Sequence, residues 1–279
     1  HPGIHERWQD HGAGIVMTIA KQEGQPFDCL ALPGLHSWAE FRTLVKRYDL
    51  LAMNVRNWRM ENAVRAARIA KSVNPHIQVW VGGFHTSIAL DEVEAVEEFD
   101  LIVVGQADVT WPKILRDGPS GRVMPGDQPP FGHLDDVPWI DREVWPHAVY
   151  FSQPDPWPLD GYCGWGPGPK VATTLTSRGC PWTCRFCYPG ERSHYKRIRR
   201  RTVGNVLEEL KMIDRRWGPT NSVVFHDSEF FMQLRWLEEF LERYPRETPR
   251  WPFWGAARAD MILKWPNLFS ALVREAGWH

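Results

Sequence analysis

The sequence is short of several features that would classify it at once. It has no surplus of charge of either sign: 33 Lys and Arg stand against 34 Asp and Glu in 279 residues, a net charge of -1. A general nucleic-acid binder carries a basic excess, so the chain as a whole does not read as one, and no nucleic-acid partner is indicated. It has no apolar run near the roughly 18–20 residues that cross a bilayer. His1-Pro2-Gly3 opens it with neither the basic start nor the apolar stretch of a secretory signal. These absences predict a cytoplasmic protein with no membrane partner. Cysteine is scarce and odd in number: Cys29, Cys163, Cys180, Cys184 and Cys187, five in all, with three inside eight residues. A disulfide framework spreads paired cysteines along a chain, so a metal site in a reducing compartment is the better reading.

What is present is ordinary in bulk, with 43% hydrophobic and 24% charged residues, so wholesale disorder is excluded. The 16 Trp and 23 Pro are heavy loads. Tryptophan reads first as core packing, with an aromatic substrate pocket as the alternative. Residues 1–118 alternate between elements. Helices are predicted over 11–24, 36–48, 60–73, 91–99 and 108–118, and apolar strands over 27–32, 49–55, 77–83 and 100–105. Repeated βα units with nearly continuous apolar strands predict a parallel sheet covered on both faces, a Rossmann-like α/β domain. Ligands of such sheets sit at the carboxyl ends of strands. That singles out the loops Val55-Arg56-Asn57-Trp58, Gly82-Gly83-Phe84-His85 and Gly105-Gln106-Ala107-Asp108. Residues 119–170 are rich in Pro, Gly and Trp and read as an interdomain linker. Residues 171–279 resume the alternation: strands over 171–177, 222–227 and 252–260, and helices over 202–217, 233–244 and 267–277.

Just after the first of these strands, SRGCPWTCRFCYPG places Cys180, Cys184 and Cys187 in a C-x3-C-x2-C pattern. Three thiolates so close suit three corners of an iron–sulfur cubane. A structural zinc site is the alternative, but it needs a fourth ligand, and the nearest candidates, Cys163 and His194, have no ordinary zinc spacing. A four-iron cluster on three protein ligands leaves one iron open for a substrate or cofactor. The loop resembles that of the radical S-adenosylmethionine superfamily, whose motif is C-x3-C-x-aromatic-C, with Phe186 in the aromatic slot. The resemblance implies a [4Fe-4S] cluster whose unique iron is chelated by S-adenosylmethionine, and electron transfer that yields a 5′-deoxyadenosyl radical. It extends to Asp227-Ser228-Glu229, where the family often carries a Gly-Gly-Glu turn holding the methionine amino group. Both glycines are replaced here, and the acids also read as solvated loop residues. Arg258 resembles an arginine near the cofactor, with a structural pair to Asp260 or Glu229 as the alternative. The stretch Lys196-Arg197-Ile198-Arg199-Arg200-Arg201 either belongs to the same likeness or is a solvated basic face.

The first half, through VGGFH at 81–85 and DLIVVGQADVTWPKIL, resembles the cobalamin-binding domain that precedes many such cores, and LDDVPWIDR in the linker strengthens the likeness. The implied cobalamin site is lined by Arg56, Gly82, Gly83, His85 and Gly105. The bland reading of the glycines is an ordinary βα turn. The usual Gly-Glu-Gly-Glu loop is Gly105-Gln106-Ala107-Asp108 here. The Asp-x-His-x-x-Gly motif that supplies a histidine to cobalt is absent, which implies no protein nitrogen on that face; Arg56 would lie near it.

Taken together the resemblance is to the cobalamin-dependent radical S-adenosylmethionine enzymes, most commonly methyltransferases acting on an unactivated carbon or phosphorus centre. A rearrangement or ring closure with the same cofactors, a non-catalytic cofactor-binding fragment, and methylthiolation of transfer RNA are the alternatives. The last needs cluster cysteines that Cys29 alone cannot provide. Expected partners are a small-molecule or peptide substrate and a reductant such as flavodoxin or ferredoxin. The family's radical core is a partial barrel of six βα units, of which three are counted after the linker, so the chain reads as the middle of a longer protein, without the cobalamin domain's usual first strand.

Overall fold

A computed structural model of the chain describes residues 10–30, 35, 37–129, 131–145, 171–187 and 198–278. They fall into two compact units. The first is drawn from His1–Phe131 with Pro138–Val149, the second from Gly132–Val137 with Tyr150–His279.

The first unit begins with helix α1 (His11–Gln22), capped by Asp10, whose side chain accepts from the Ala13 amide at 3.1 Å. Helix α2 (Trp38–Val45) starts at Ser37, which accepts from Glu40 N in the S-x-x-E pattern of a capping box. Then come β1 (Leu50–Asn54), α3 (Met60–Val73), β2 (Gln78–Gly82), the short helices α4 (Phe84–Ile88) and α5 (Leu90–Glu94), β3 (Leu101–Val104), α6 (Thr110–Asp117) and β4 (Val123–Pro125). The four strands form one parallel sheet in the order β1-β2-β3-β4, with Leu50 opposite Gln78, Trp80 opposite Leu101 and Ile102 opposite Val123.

Strand alternation explains the layers. Val79, Val81 and Ile102 face one side and join Phe41, Val45 and the small residues Ala63, Ala66, Ala67 and Ala70 of α3. That alanine spacing is one helical face, and its small side chains let α3 lie close to the sheet. Leu101 and Val103 face the other side, with Ile19 of α1 and Trp111 and Ile114 of α6. Trp111 donates its indole N–H to Val16 O at 3.0 Å and meets Trp80 edge-on. The sheet is therefore covered on both faces, as its apolar strands require.

Three local expectations fail. Phe27–Leu30 is not a strand; Asp28 instead accepts from the Tyr48 hydroxyl, and the next two residues lie outside the described ones. Strand β4 lies in the stretch read as linker. Gly126, just beyond it, passes so close to Gln106 O that any Cβ would collide, and Asp127 accepts from the amides of Val109 and Thr110 at 3.0 and 2.8 Å, capping α6 from outside the helix. The third strand expected at 252–260 ends at Gly255.

The second unit contains β5 (Val171–Thr174), β6 (Ser177–Arg178), β7 (Arg199–Arg200), α7 (Val203–Trp217), β8 (Ser222–Phe225), α8 (Leu234–Glu247), β9 (Phe253–Gly255), α9 (Ala259–Lys264), α10 (Pro266–Ala271) and a π-helical turn at Leu272–Ala276. Strands β5, β8 and β9 form a parallel sheet in that order. This is the βα array expected of the first part of a barrel. Trp278 bridges Phe253 in parallel beyond β9, and the Phe253 amide donates to Gly277 O at 2.8 Å, so that edge is partly covered. Strands β6 and β7 pair antiparallel, Ser177 opposite Arg200; this hairpin closes the base of the cysteine loop. The core is aromatic: Phe240 is fully buried and packs against Phe225, Phe230, Trp236, Tyr244 and Phe253. Buried Trp236 and Trp251 here, and Trp111 and Trp145 in the first unit, are packing residues.

Phe240→Ala opens a cavity beneath β8 and β9, and urea denaturation should show a loss of about 3–5 kcal/mol.

Candidate functional site

The residues singled out in the second unit come together at the carboxyl ends of β5, β8 and β9. The cysteine loop leaves β6 through Gly179, whose φ of 93° lies in the left-handed region. Cys180 is buried, Cys184 and Cys187 half-buried, and all three are free thiols. The Cys187 amide donates to Cys184 O at 2.9 Å, so the second and third thiols sit on one turn. Burial pushes the Cys180 thiol up, and the neighbouring Cys187, Glu229 and Cys184 push it the same way. The thiols are thus within electrostatic reach of one another. They do not close on a common point: among the described residues no three His, Cys, Asp or Glu side chains form a ready metal cage. Cys163 and His194 lie outside the described residues, as do Lys196 and Arg197. Phe186 is 94% exposed at the loop tip.

The turn after β8 is tied to both ends of that loop. Asp227 is buried and accepts from Thr176 N at 3.0 Å, from Thr176 Oγ1 at 2.7 Å and from the Ser177 hydroxyl. It is a clamp on the strand that enters the cysteine loop. On the returning strand, buried Arg200 donates from Nη2 to the carbonyls of Phe230 at 2.7 Å and Glu229 at 3.3 Å. Its guanidinium lies over Trp236 and Phe230, 4.5 and 5.7 Å from their ring centroids. Burial lowers its pKa, while Asp227 and Glu229 oppose that shift.

Glu229 is buried and its carboxylate accepts from the Phe231 amide at 3.1 Å. Burial raises its pKa above the ordinary glutamate value, with Arg258 and Arg200 pulling it back. Neither acid is a solvated loop residue. Arg258 is paired with Asp260, Nε to Oδ1 at 2.9 Å and Nη2 to Oδ2 at 3.1 Å, and its Nη1 lies 3.8 Å from Cys184 Sγ. The structural pair with Asp260 and a place beside the cysteine loop hold together.

Of the basic run, Arg200 and Arg201 turn inward rather than forming a solvated face. Arg201 is nearly buried and bonds Glu209 at 2.6 Å, Asn205 Oδ1 at 2.6 Å and Leu175 O at 2.9 Å. Arg199 reaches Gly132 O at 2.9 Å. From the LDDVPWIDR stretch, Asp135 accepts from Thr202 N and Oγ1 at 2.9 and 2.7 Å, reinforcing the cap of α7.

In the first unit the three loops follow β1, β2 and β3 at one end of the sheet. Gly83 has φ 112°, and a Cβ there would collide with Asn54 Oδ1 and lie 2.7 Å from Val55 O. Gly82 meets Val103 only at ordinary contact. Gly105 has φ 95° and its amide donates to Ser87 Oγ at 2.8 Å. His85 is buried, with Nε2 3.3 Å from Glu92 Oε2. Arg56 pairs with Asp10 at 2.8 Å and lies 5.7 Å from the Trp58 ring centroid. Exposed apolar side chains lie in the first two loops, Trp58 (68%) and Phe84 (42%), and just past the third, Val109 (54%). A shallow groove of about 840 Å³ runs along α3 to α5, its lining including Asn57 of the first loop and the charged residues Glu61, Arg65, Arg68 and Glu92.

A three-thiol loop, a buried acidic turn and an arginine thus gather at the carboxyl ends of a parallel βα array. Residues 174–253 match the Radical SAM superfamily, and the chain carries a radical SAM domain. An uncharacterized methyltransferase of Pyrococcus horikoshii is 24% identical over 246 residues, 80% of this chain and 50% of that protein. The hopanoid C-3 methylase of Methylococcus capsulatus is 25% identical over 219 residues, 73% of this chain and 38% of that protein. The chain thus spans half or less of the length of these relatives.

Thr176, Ser177 and Arg200 escaped the sequence reading; the hydroxyls flanking the loop and the run of arginines were their only local signals. Asp227→Ala strands three buried donors, each worth roughly 1–3 kcal/mol. It should lower the melting temperature and the iron retained after anaerobic reconstitution, both measurable on one preparation. Glu229 holds its proton longer in the fold than in the unfolded chain, so its contribution to stability is present at acid pH and is lost as pH rises through its raised pKa. Glu229→Gln should flatten that decline, read as urea midpoints across pH.

Proposed function

We propose that the chain is the cofactor-binding part of a cobalamin-dependent radical S-adenosylmethionine methyltransferase acting on an unactivated carbon or phosphorus centre of a small molecule or peptide. Cys180, Cys184 and Cys187 would hold a [4Fe-4S] cluster. The donor set fits that group by its chemistry: three free thiols on one loop, with a guanidinium N–H facing one sulfur. The observation that carries the reading is the position of Glu229, buried within electrostatic reach of Cys180 and of Arg258, where an acid can take the ammonium of S-adenosylmethionine. When bound, the cluster supplies the electron that cleaves S-adenosylmethionine, and cobalamin carries the methyl group.

This chain's own residues bind and orient. Asp227 and Arg200 hold the loop against the Glu229 turn. Phe186, exposed at the loop tip, is available to cover the cofactor's adenine. In the first unit, Trp58, Phe84 and Val109 are exposed apolar side chains after β1, β2 and β3, at the end of the sheet where a large planar corrin would lie. Gly82 and Gly105 lie at the strand ends where its tail would approach the backbone. Arg56, paired with Asp10, offers no nitrogen lone pair to cobalt. His85 is engaged with Glu92 within the first unit.

Anaerobically reconstituted intact protein, given reductant and methyl-labelled S-adenosylmethionine, should bind cobalamin and form 5′-deoxyadenosine, and label should appear first on cobalamin. Replacing all three cysteines with Ala should abolish iron binding and leave cobalamin binding intact. Glu229→Gln should keep the iron and weaken S-adenosylmethionine binding about tenfold or more, the scale of a lost charge-assisted contact. Unlabelled cobalamin alongside normal 5′-deoxyadenosine would point to the same cofactors used without methyl transfer, and absence of bound iron would overturn the reading.

A further inference from the structure

We propose that Arg258 is a positioning residue that raises the reduction potential of the cluster by donating an N–H to the Cys184 sulfur; this rests on the cluster reading above. The guanidinium is held on three sides. One face lies on Trp182, with Cζ 4.0 Å from the ring centroid. Trp182 belongs to the cysteine loop itself, two residues before Cys184. The edge bearing Nε and Nη2 is taken by both oxygens of Asp260, at 2.9 and 3.1 Å. Nη1 is left as the donor turned to Cys184 Sγ, 3.8 Å away. Ring, carboxylate and sulfur together fix the fork, so the direction of the N–H is set before any cluster arrives.

Two physical effects then act in one direction. An N–H aimed at a thiolate sulfur draws electron density from it, and hydrogen bonds to sulfur are among the levers that set cluster potentials. Reduction adds one negative charge, which a cation at this distance stabilises. Asp260 offsets the cation's charge at longer range without cancelling the directed contact. Lysine cannot reproduce the arrangement, because it lacks the planar fork that binds a carboxylate bidentately while stacking on a ring.

The test is a one-electron titration of the intact, reconstituted protein without S-adenosylmethionine, the reduced cluster being read by electron paramagnetic resonance. At the wild-type midpoint, Arg258→Gln should lower the reduced-to-oxidised ratio about tenfold, about 59 mV for one electron, at unchanged iron per chain. Arg258→Lys should fall between. Arg246→Gln, on the exposed part of α8 where Arg246 pairs with Glu242 at 3.2 Å, is the charge control and should leave the ratio unchanged. An unchanged ratio in Arg258→Gln with full iron overturns the proposal, and so does an equal shift in Arg246→Gln. If Arg258→Gln retains no iron, Arg258→Lys decides by the same criterion. A wild-type protein that holds no cluster is a different result, the failure of the cluster reading itself.

Discussion

The second unit depends on one buried carboxylate. Asp227 sits at the end of β8, yet its three donors come from Thr176 and Ser177, at the entry to the cysteine loop. A buried charge is costly unless it is hydrogen-bonded, and three donors reach this one. The loop's other end is held by a buried charge of opposite sign. Arg200 grips the carbonyls of Glu229 and Phe230 and rests on two aromatic faces, which accept a cation without demanding a counter-ion in contact. The entry and exit of the loop are therefore fastened to the same four-residue turn. The turn that carries Glu229 is thus held against both strands that bound the cysteine loop.

The first unit uses its strand ends differently. The glycine pair after β2 was the feature most suggestive of a ligand, but Gly83 is accounted for by its own turn. Its φ is positive and Asn54 and Val55 lie against it, so glycine is required with or without a ligand. The stronger observation is the exposure of Trp58, Phe84 and Val109. Three large apolar side chains exposed singly would mean little. Here each follows a different strand, at the end of the sheet where ligands of parallel folds bind.

Elements with strong periodicity were legible in the sequence: β1, β2 and β3 as apolar runs, and α3, α7 and α8 as amphipathic helices. Those missed are short or fastened from afar. Strand β4 has three residues and ends in Pro125, which cannot donate to a ladder. The β6–β7 hairpin has two residues on each side and spans a 20-residue loop, so no local pattern marks it. At the candidate site, residue type and spacing pointed to the three cysteines, and the family resemblance they carried pointed on to Asp227, Glu229 and Arg258. The same reading treated Asp227 as a cofactor contact or a solvated acid. Its partners lie some 50 residues earlier in the chain, and separation on that scale leaves no trace in a window of sequence.

The run Arg199-Arg200-Arg201 shows how a charge pattern misleads when only its density is read. Consecutive residues on extended backbone point to opposite sides. Arg200 is thereby sent into the aromatic core beneath the acidic turn, while Arg199 reaches a carbonyl of the 132–137 segment. Arg201, just past the strand, turns to Glu209 and closes a buried network with Thr174 and Asn205. Three adjacent cations have three separate destinations inside the second unit. Arg200 and Arg201 thereby build the frame of the cysteine loop, Arg200 through carbonyls and aromatic faces and Arg201 through an ion pair with Glu209.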